Sequence, residues 1–334
     1  MASLRHRPAM PAEAQGEPLA GEPLAREPLA RAPLAGAAPV AARPAAGRGL
    51  AAGLPYLAVS VCLFGGIWPV TKAALAEATP LWFAVNRAGL AALASALLLT
   101  LLRRLRWPER HDLVSIAGIG LLQLGAFFAL THLALEWVPA GRTAILANVT
   151  VFWLIPLSVW LLGDRVSRRQ WLAVLVGLLG VLVLMRPWDL LGQGLGALPG
   201  YAMLLVASLC WSLAILVTRR FPPQRPVLEL LPWCFAVGTA LLLPLALWRE
   251  PGGGIGPGAW PHAAFVGAVA APIGTWATVE AGRRLSGIMA SVGFLAVPAL
   301  GVALSNLWLG ERLGWDVLAG GLLIGASVLC AARG

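Results

Sequence analysis

The sequence predicts an all-α integral membrane fold of ten transmembrane helices, arranged as two inverted five-helix repeats behind a disordered N-terminal tail. Three observations predict it. Of the 334 residues, 59% are hydrophobic and only 12% charged. Apolar runs of about 20 residues, the length a helix needs to cross roughly 30 Å of hydrocarbon, recur from Leu54 onward. A short motif between two such runs then recurs at a fixed interval later in the chain.

A soluble domain is charged at about a quarter of its positions, so this composition belongs in a bilayer. The net charge of +10 is carried almost entirely by arginine, since Lys72 is the only lysine. Nucleic-acid binders gather basic residues on one solvated face. These arginines instead sit in short loops between apolar runs, where they set membrane orientation, so no nucleic-acid partner is expected. Cys62, Cys210, Cys234 and Cys330 lie inside apolar runs without a C-x-x-C pair and read as packing residues. His6 falls in the tail and His111 and His262 near loops, leaving His132 within the membrane. No metal site and no cofactor are expected.

Residues 1–52 are rich in Ala, Pro, Gly and Arg, with a degenerate repeat visible at Glu17-Pro18-Leu19-Ala20, Glu22-Pro23-Leu24-Ala25 and Glu27-Pro28-Leu29-Ala30. Such a segment cannot build a packed core, and it lacks the apolar core of a secretory signal, so a disordered cytoplasmic tail is expected. The expected spans are 54–76, 80–102, 113–135, 140–162, 170–186, 199–218, 228–248, 261–282, 287–309 and 314–332. One set of alternate loops carries Arg103, Arg104, Arg106 and Arg110, then Arg165, Arg168 and Arg169, then Arg219, Arg220 and Arg225, then Arg283 and Arg284. The other set offers only Arg142, Arg186, Arg249 and Arg312. The positive-inside rule therefore puts both termini in the cytoplasm, consistent with an even number of spans in a bacterial inner membrane.

Leu162-Gly163-Asp164-Arg165-Val166 follows the fourth span and Leu309-Gly310-Glu311-Arg312-Leu313 the ninth, an interval of 310 − 163 = 147 residues. Val70-Thr71-Lys72 is matched by Val217-Thr218-Arg219 and Phe64 by Trp211 at the same interval. A duplicated unit of five spans re-enters from the opposite side, so Asp164 is expected to face the cytoplasm and Glu311 the exterior.

These residues resemble the EamA-type members of the drug/metabolite transporter superfamily over almost everything from Leu54 to Cys330. The resemblance implies two units, 54–186 and 199–332. An aromatic residue and small residues precede a basic residue at Phe64-Gly65 to Lys72 and at Trp211-Ser212 to Arg219, and Arg87 stands ahead of an apolar run. The second unit carries Gly287, Pro298, Gly310-Glu311-Arg312 and Gly325. The first departs from the pattern, with Val151 where proline is usual, Pro156 instead, and Asp164 in place of glutamate. The resemblance implies a ten-helix secondary transporter and does not identify its substrate.

An ionisable side chain in hydrocarbon costs about 2.5–3.5 kcal/mol on insertion scales, so each asks for a partner or a wet cavity. Candidate substrate-binding residues are Phe64, Trp68, Lys72, Arg87, Gln123, His132, Asn148, Trp211, Trp276 and Pro298, with Glu280 and His132 as candidates for proton coupling. Glu280 lies three and four residues before Arg283 and Arg284, the spacing of a local ion pair. Arg87 and Lys72 lie near the external ends of their spans and could snorkel. Trp68 lies between Gly65-Gly66 and Pro69, where a helix can kink or open. Gly177 with Gly180, and Gly321 with Gly325, supply small faces for helix packing within the chain or at a homodimer contact.

The leading expectation is an exporter of a small metabolite or drug-like solute working by alternating access, with membrane lipid as its surroundings. A membrane-embedded enzyme is disfavoured because no H-E-x-x-H, G-x-S-x-G or paired intramembrane aspartates occur. A non-transporting sensor or assembly subunit is the remaining alternative.

Overall fold

The computed structural model describes residues 48–186, 196–285, 289 and 293–332. The expected tail, up to residue 47, and Gly287 lie outside the described residues. Within them the chain is helical, and the sole extended pairing is an isolated bridge between Ala78 and Ile255.

The helices are α1 (Arg48–Ala74), α2 (Pro80–Leu101), α3 (Leu113–Ala134), α4 (Ala140–Leu146), α5 (Thr150–Leu162) and α6 (Arg168–Met185), followed by α7 (Leu198–Arg220), α8 (Val227–Arg249), α9 (Pro257–Arg284), α10 (Ala296–Leu309) and α11 (Trp315–Ala332). Among the described residues seven helices are long and apolar enough to cross a membrane. The expected fourth, ninth and tenth spans are represented by the shorter apolar helices Phe152–Leu162, Ala296–Leu309 and Trp315–Ala331.

Local chemistry explains the boundaries. Pro80 opens α2, where its missing N–H costs nothing. Ser167 caps α6 by accepting from the Gln170 N–H, while the Gln170 side chain accepts from the Ser167 N–H at 2.8 Å. Gly163 and Gly310 end α5 and α10 with φ of +70° and +66°, a left-handed turn that a side chain would strain.

The expected fourth span is broken between α4 and α5. The Asn148 side-chain amide donates to the Ala144 carbonyl at 2.7 Å, the acceptor that its own backbone N–H would use in an α-helix. That N–H bonds the Ile145 carbonyl instead, at 3.0 Å. This side-chain competition, ahead of the β-branched run Val149-Thr150-Val151, stops the helix. The opening expected at Trp68 is absent, because α1 stays helical through Pro69. Close packing there holds it: a Cβ on Gly65 would come within 3.0 Å of the Leu300 Cβ in α10.

Packing follows the 147-residue register. Helices α2 and α8, which begin at 80 and 227, pack on each other, and so do α6 and α11, which begin at 168 and 315. Helix α1 packs on α9 and α10, while its counterpart α7 packs on α3 and α5. At the α6–α11 contact, a Cβ on Gly177 would lie 2.8 Å from the Ser327 Oγ, and one on Gly180 would lie 2.8 Å from Ile324. Positions 177 and 180 correspond to 324 and 327, so exchanging the repeats exchanges these two contacts. Small residues let the backbones approach closely where no hydrophobic drive separates helix from lipid. The Gly177–Gly180 face is therefore used within the chain, against Gly320 and Ile324, whereas Gly325 has open space beside it.

A further correspondence could not be read from composition. Helix α3 contains a π-helical segment Gly118–Ala126 and α9 another, Phe265–Ala270, and they begin 147 residues apart. Such wide turns cluster at functional sites.

Candidate functional site

The π segment of α3 leads into Phe127, Phe128 and His132. Around them one core cluster gathers Trp68 of α1, Leu81, Ala84 and Ala88 of α2, and Ala140 and Ala144 of α4, with Trp211 of α7 packed on it. The Phe127 and Trp211 rings meet edge-on at 4.8 Å. The indole of Trp68 is nearly buried, and a Cβ on Gly301 of α10 would lie 3.2 Å from it.

Arg87 projects from α2 into this cluster, only 7% exposed. Its guanidinium carbon lies 4.1 Å from the centre of the Phe128 ring, within range of a cation–π contact. Its Nη1 is 3.3 Å from the His132 Nε2, and the His132 Nδ1 is 2.6 Å from the Phe128 carbonyl. A carbonyl only accepts and a guanidinium only donates, so the imidazole here is the neutral tautomer protonated at Nδ1. The Phe83 and His132 rings lie 5.8 Å apart. Behind this group, Gly267 of the second π segment lets α9 approach so closely that a Cβ there would fall 2.4 Å from the Arg87 carbonyl oxygen.

Both ends of the bundle carry charged contacts that cross between repeats. At the arginine-rich end, Arg219 Nη2 donates to the Asp164 Oδ2 at 2.8 Å. The register relates Arg219 to Lys72 and Asp164 to Glu311. At the opposite end Lys72 donates to the Leu135 carbonyl, with Glu311 close enough to act on its charge. Glu311 itself accepts from the Ala140 and Gly141 N–H groups at 2.6 and 2.9 Å, at the start of α4. The same pair of charges is thus an ion pair at one end and two separately partnered groups at the other. Nearby Glu136, in the loop after α3, has its pKa raised by burial and then by the Glu250 carboxylate, against the opposing effect of Arg249 and Lys72.

The structure therefore brings Arg87 and Trp211 of the expected site against α3, which carries His132, and places Trp68 in the same core cluster. Phe64 lies to one side, its ring against Gly274 of α9. Asn148 is exposed at the break before α5. Gln123 lies half-buried inside the π segment, and Pro298 half-buried in α10. Trp276 is 44% exposed and meets Tyr56 edge-on. Glu280 is paired with Arg283 at 3.2 Å and with Arg284, the latter lying over the Tyr56 ring. It stands at the arginine-rich end, apart from the α3 cluster.

Several buried or backbone-capping carboxylates were missed in the sequence. Asp316, fully buried at the start of α11, pairs with the Arg142 Nη2 at 2.6 Å and with Arg186 at 3.8 Å. Its signal was two arginines standing in otherwise arginine-poor loops. Asp112, also fully buried, accepts from the Gln224 N–H at 2.8 Å. Glu250 accepts from the Leu81 and Trp82 N–H groups at the start of α2, at 3.0 and 3.3 Å. Among the described residues no group of three or more His, Cys, Asp or Glu could hold a metal ion.

Known proteins share this architecture. The chain is 26% identical over 280 residues to "Uncharacterized transporter YdeK" of Bacillus subtilis, covering 82% of this chain and 95% of that one. It is 26% identical over 230 residues to a "Probable amino-acid metabolite efflux pump" of Salmonella typhimurium, covering 65% and 75%. A solved crystal structure matches with a TM-score of 0.59 at 18% identity, covering 84% of this chain and 97% of its own, which shows a shared fold. The model of the EamA-like transporter family matches twice, at residues 51–186 and 198–333, again 147 residues apart. With two copies of that unit and an all-helical bundle in which their contacts interchange, this chain is an integral membrane protein that belongs to the EamA-like transporter family.

Proposed function

We propose that the protein is a secondary transporter that exports a small metabolite or drug-like solute by alternating access between its two repeats. The observation that carries this reading is the exchange of contacts under the 147-residue register, clearest where α6 meets α11. Two near-equivalent halves of opposite orientation can swap conformations, so that the arrangement at one end is taken up by the other. The unequal partners of Asp164–Arg219 and Glu311–Lys72 are what one such state requires. Export is supported by the efflux pump among the relatives and by analogy of fold. The arginine-rich end would face the cytoplasm, together with both termini, in a bacterial inner membrane. Energy would come from a proton or ion gradient or from exchange.

The test is uptake and counterflow of labelled amino acids and drug-like amines in proteoliposomes, with and without a pH gradient. Solute-stimulated flux is expected, lowered about fivefold or more in Asp164→Arg, which sets two cations against each other at the arginine-rich end. Because Glu280 is already held by its own helix, Glu280→Gln is expected to keep flux within about twofold. Loss of gradient-driven accumulation in Glu280→Gln would instead make that carboxylate the proton carrier. Absence of flux for every solute would contradict the transporter reading.

A further inference from the structure

Arg87 is a buried cation without an acid. None of the ion pairs among the described residues includes it, and its one side-chain hydrogen bond goes to a neutral imidazole. A charge held in hydrocarbon costs several kcal/mol unless something answers it. His132 cannot, since its Nδ1–H is spent on Phe128 and its Nε2 is already the acceptor for Nη1. The Phe128 face covers one side of the guanidinium plane. What remains is the edge formed by Nε and Nη2. No hydrogen bond or ion pair among the described residues engages those two atoms, and Arg87 keeps 7% exposure.

Resting on the transporter reading, we infer that Arg87 and His132 form an anion site that takes the carboxylate of a singly charged solute with an apolar or aromatic body. The guanidinium edge offers two parallel N–H donors, which matches a carboxylate. The local charge is a single positive one, because His132 is neutral. A monocarboxylate cancels it, whereas a phosphate dianion would leave a net negative charge among Phe83, Phe127 and Phe128. Phe83 and Phe128, both packed beside His132, supply apolar surface next to the fork. His132 is a positioning residue, orienting the fork by holding Nη1. Close packing of Gly267 on the Arg87 backbone fixes where the fork starts.

A lipid headgroup could deliver an oxyanion to the same fork, so the test separates the sources. Purified full-length protein in zwitterionic phosphatidylcholine nanodiscs is titrated with benzoate, phenylacetate, benzamide and phenyl phosphate, following thermal unfolding and tryptophan fluorescence. The expected result is stabilisation by benzoate or phenylacetate, none by benzamide, and weaker binding of phenyl phosphate. Arg87→Gln should weaken carboxylate binding about tenfold or more, and Arg87→Lys less than that. Without ligand, Arg87→Gln should melt no lower than the wild type, since it removes an uncompensated charge; a guanidinium serving only packing would show a clear loss. Equal binding of amide and acid, tighter binding of phenyl phosphate, no carboxylate binding, or unchanged binding in Arg87→Gln would each overturn the proposal. So would loss of the benzoate effect in phosphatidylglycerol nanodiscs, which would assign the site to a headgroup. Binding is read without any transport step, so carboxylate binding without flux would sink the transporter reading and leave the site standing.

Discussion

Asp316→Ala is expected to destabilise the protein by about 3 kcal/mol, the low end for breaking one side of a buried ion pair, because Arg142 keeps some solvent. Asp316 is fully buried, while the Arg142 side chain is 20% exposed. Arg142 also donates to the Leu184 carbonyl at 3.2 Å and to the Tyr201 hydroxyl at 2.8 Å. One guanidinium therefore ties α4 to the end of α6, to α7 and to α11. Removing the acid leaves Arg142 and Arg186 facing each other without their shared counter-ion. The double substitution Asp316→Leu with Arg142→Met should cost less than Asp316→Ala alone, since it also removes the guanidinium that lies closest to the lost acid. Denaturant titration in detergent micelles measures both. A loss below about 0.5 kcal/mol for Asp316→Ala would mean that solvent already screens the pair.

Gly267→Ala is expected to cost about 2 kcal/mol, within the range for overpacking a tight contact. The added Cβ would lie 2.4 Å from the Arg87 carbonyl oxygen and 2.9 Å from the Leu90 Cβ. The first is a backbone atom and cannot rotate away, so α9 must move off α2 and Arg87 moves with it. Carboxylate binding should fall along with stability. Gly66→Ala and Gly282→Ala provide the contrast. Both sites are helical with nothing within 4 Å, so alanine there should be neutral or stabilising by up to about 1 kcal/mol. Equal melting temperatures for the Gly267 and Gly282 variants would refute the close approach of the π segment to α2.

Span boundaries were legible where hydropathy changes abruptly at a helix signal. The expected span 80–102 is found as Pro80–Leu101, and 113–135 as Leu113–Ala134. The duplication was legible because Gly163 and Gly310 must both turn left-handed, and that requirement kept a motif recognisable among interchangeable apolar residues. The π segments were not legible. Gly118 and Phe265, where they begin, share no side-chain property, and only helix packing distinguishes those turns. The break at Asn148 had a signal, an amide before three β-branched residues, but span length alone concealed it. Arg225 shows the limit of charge counting. It reads as a topogenic loop residue, yet it pairs with Glu109 at 2.7 Å beside the buried Asp112, tying two loops of the arginine-rich end together.

The site was legible in part. Arg87 and His132 stood out because ionisable groups are rare in apolar spans, but their contact at 3.3 Å joins positions 45 residues apart in chain and could not be read from spacing. Glu280 could be, since its partners lie within one helical turn. Asp164 and Arg219 were seen as repeat markers, and their meeting across the two units emerged only from the folded chain.

The measurement that tests alternating access most directly is a pair of electron-spin distance distributions in nanodiscs. Labels at positions 165 and 220 report on the arginine-rich end, and labels at 76 and 312 on the opposite end, in a cysteine-free background. Two populations are expected at each end, with the short distance at one accompanied by the long distance at the other. The Asp164–Arg219 pair is partly exposed, with side chains 35% and 28% accessible, and so is worth about 1 kcal/mol. Asp164→Asn should therefore shift the populations roughly fivefold toward an open arginine-rich end. A single fixed distance at each end, unchanged by Asp164→Asn, or both ends opening together, would contradict the account.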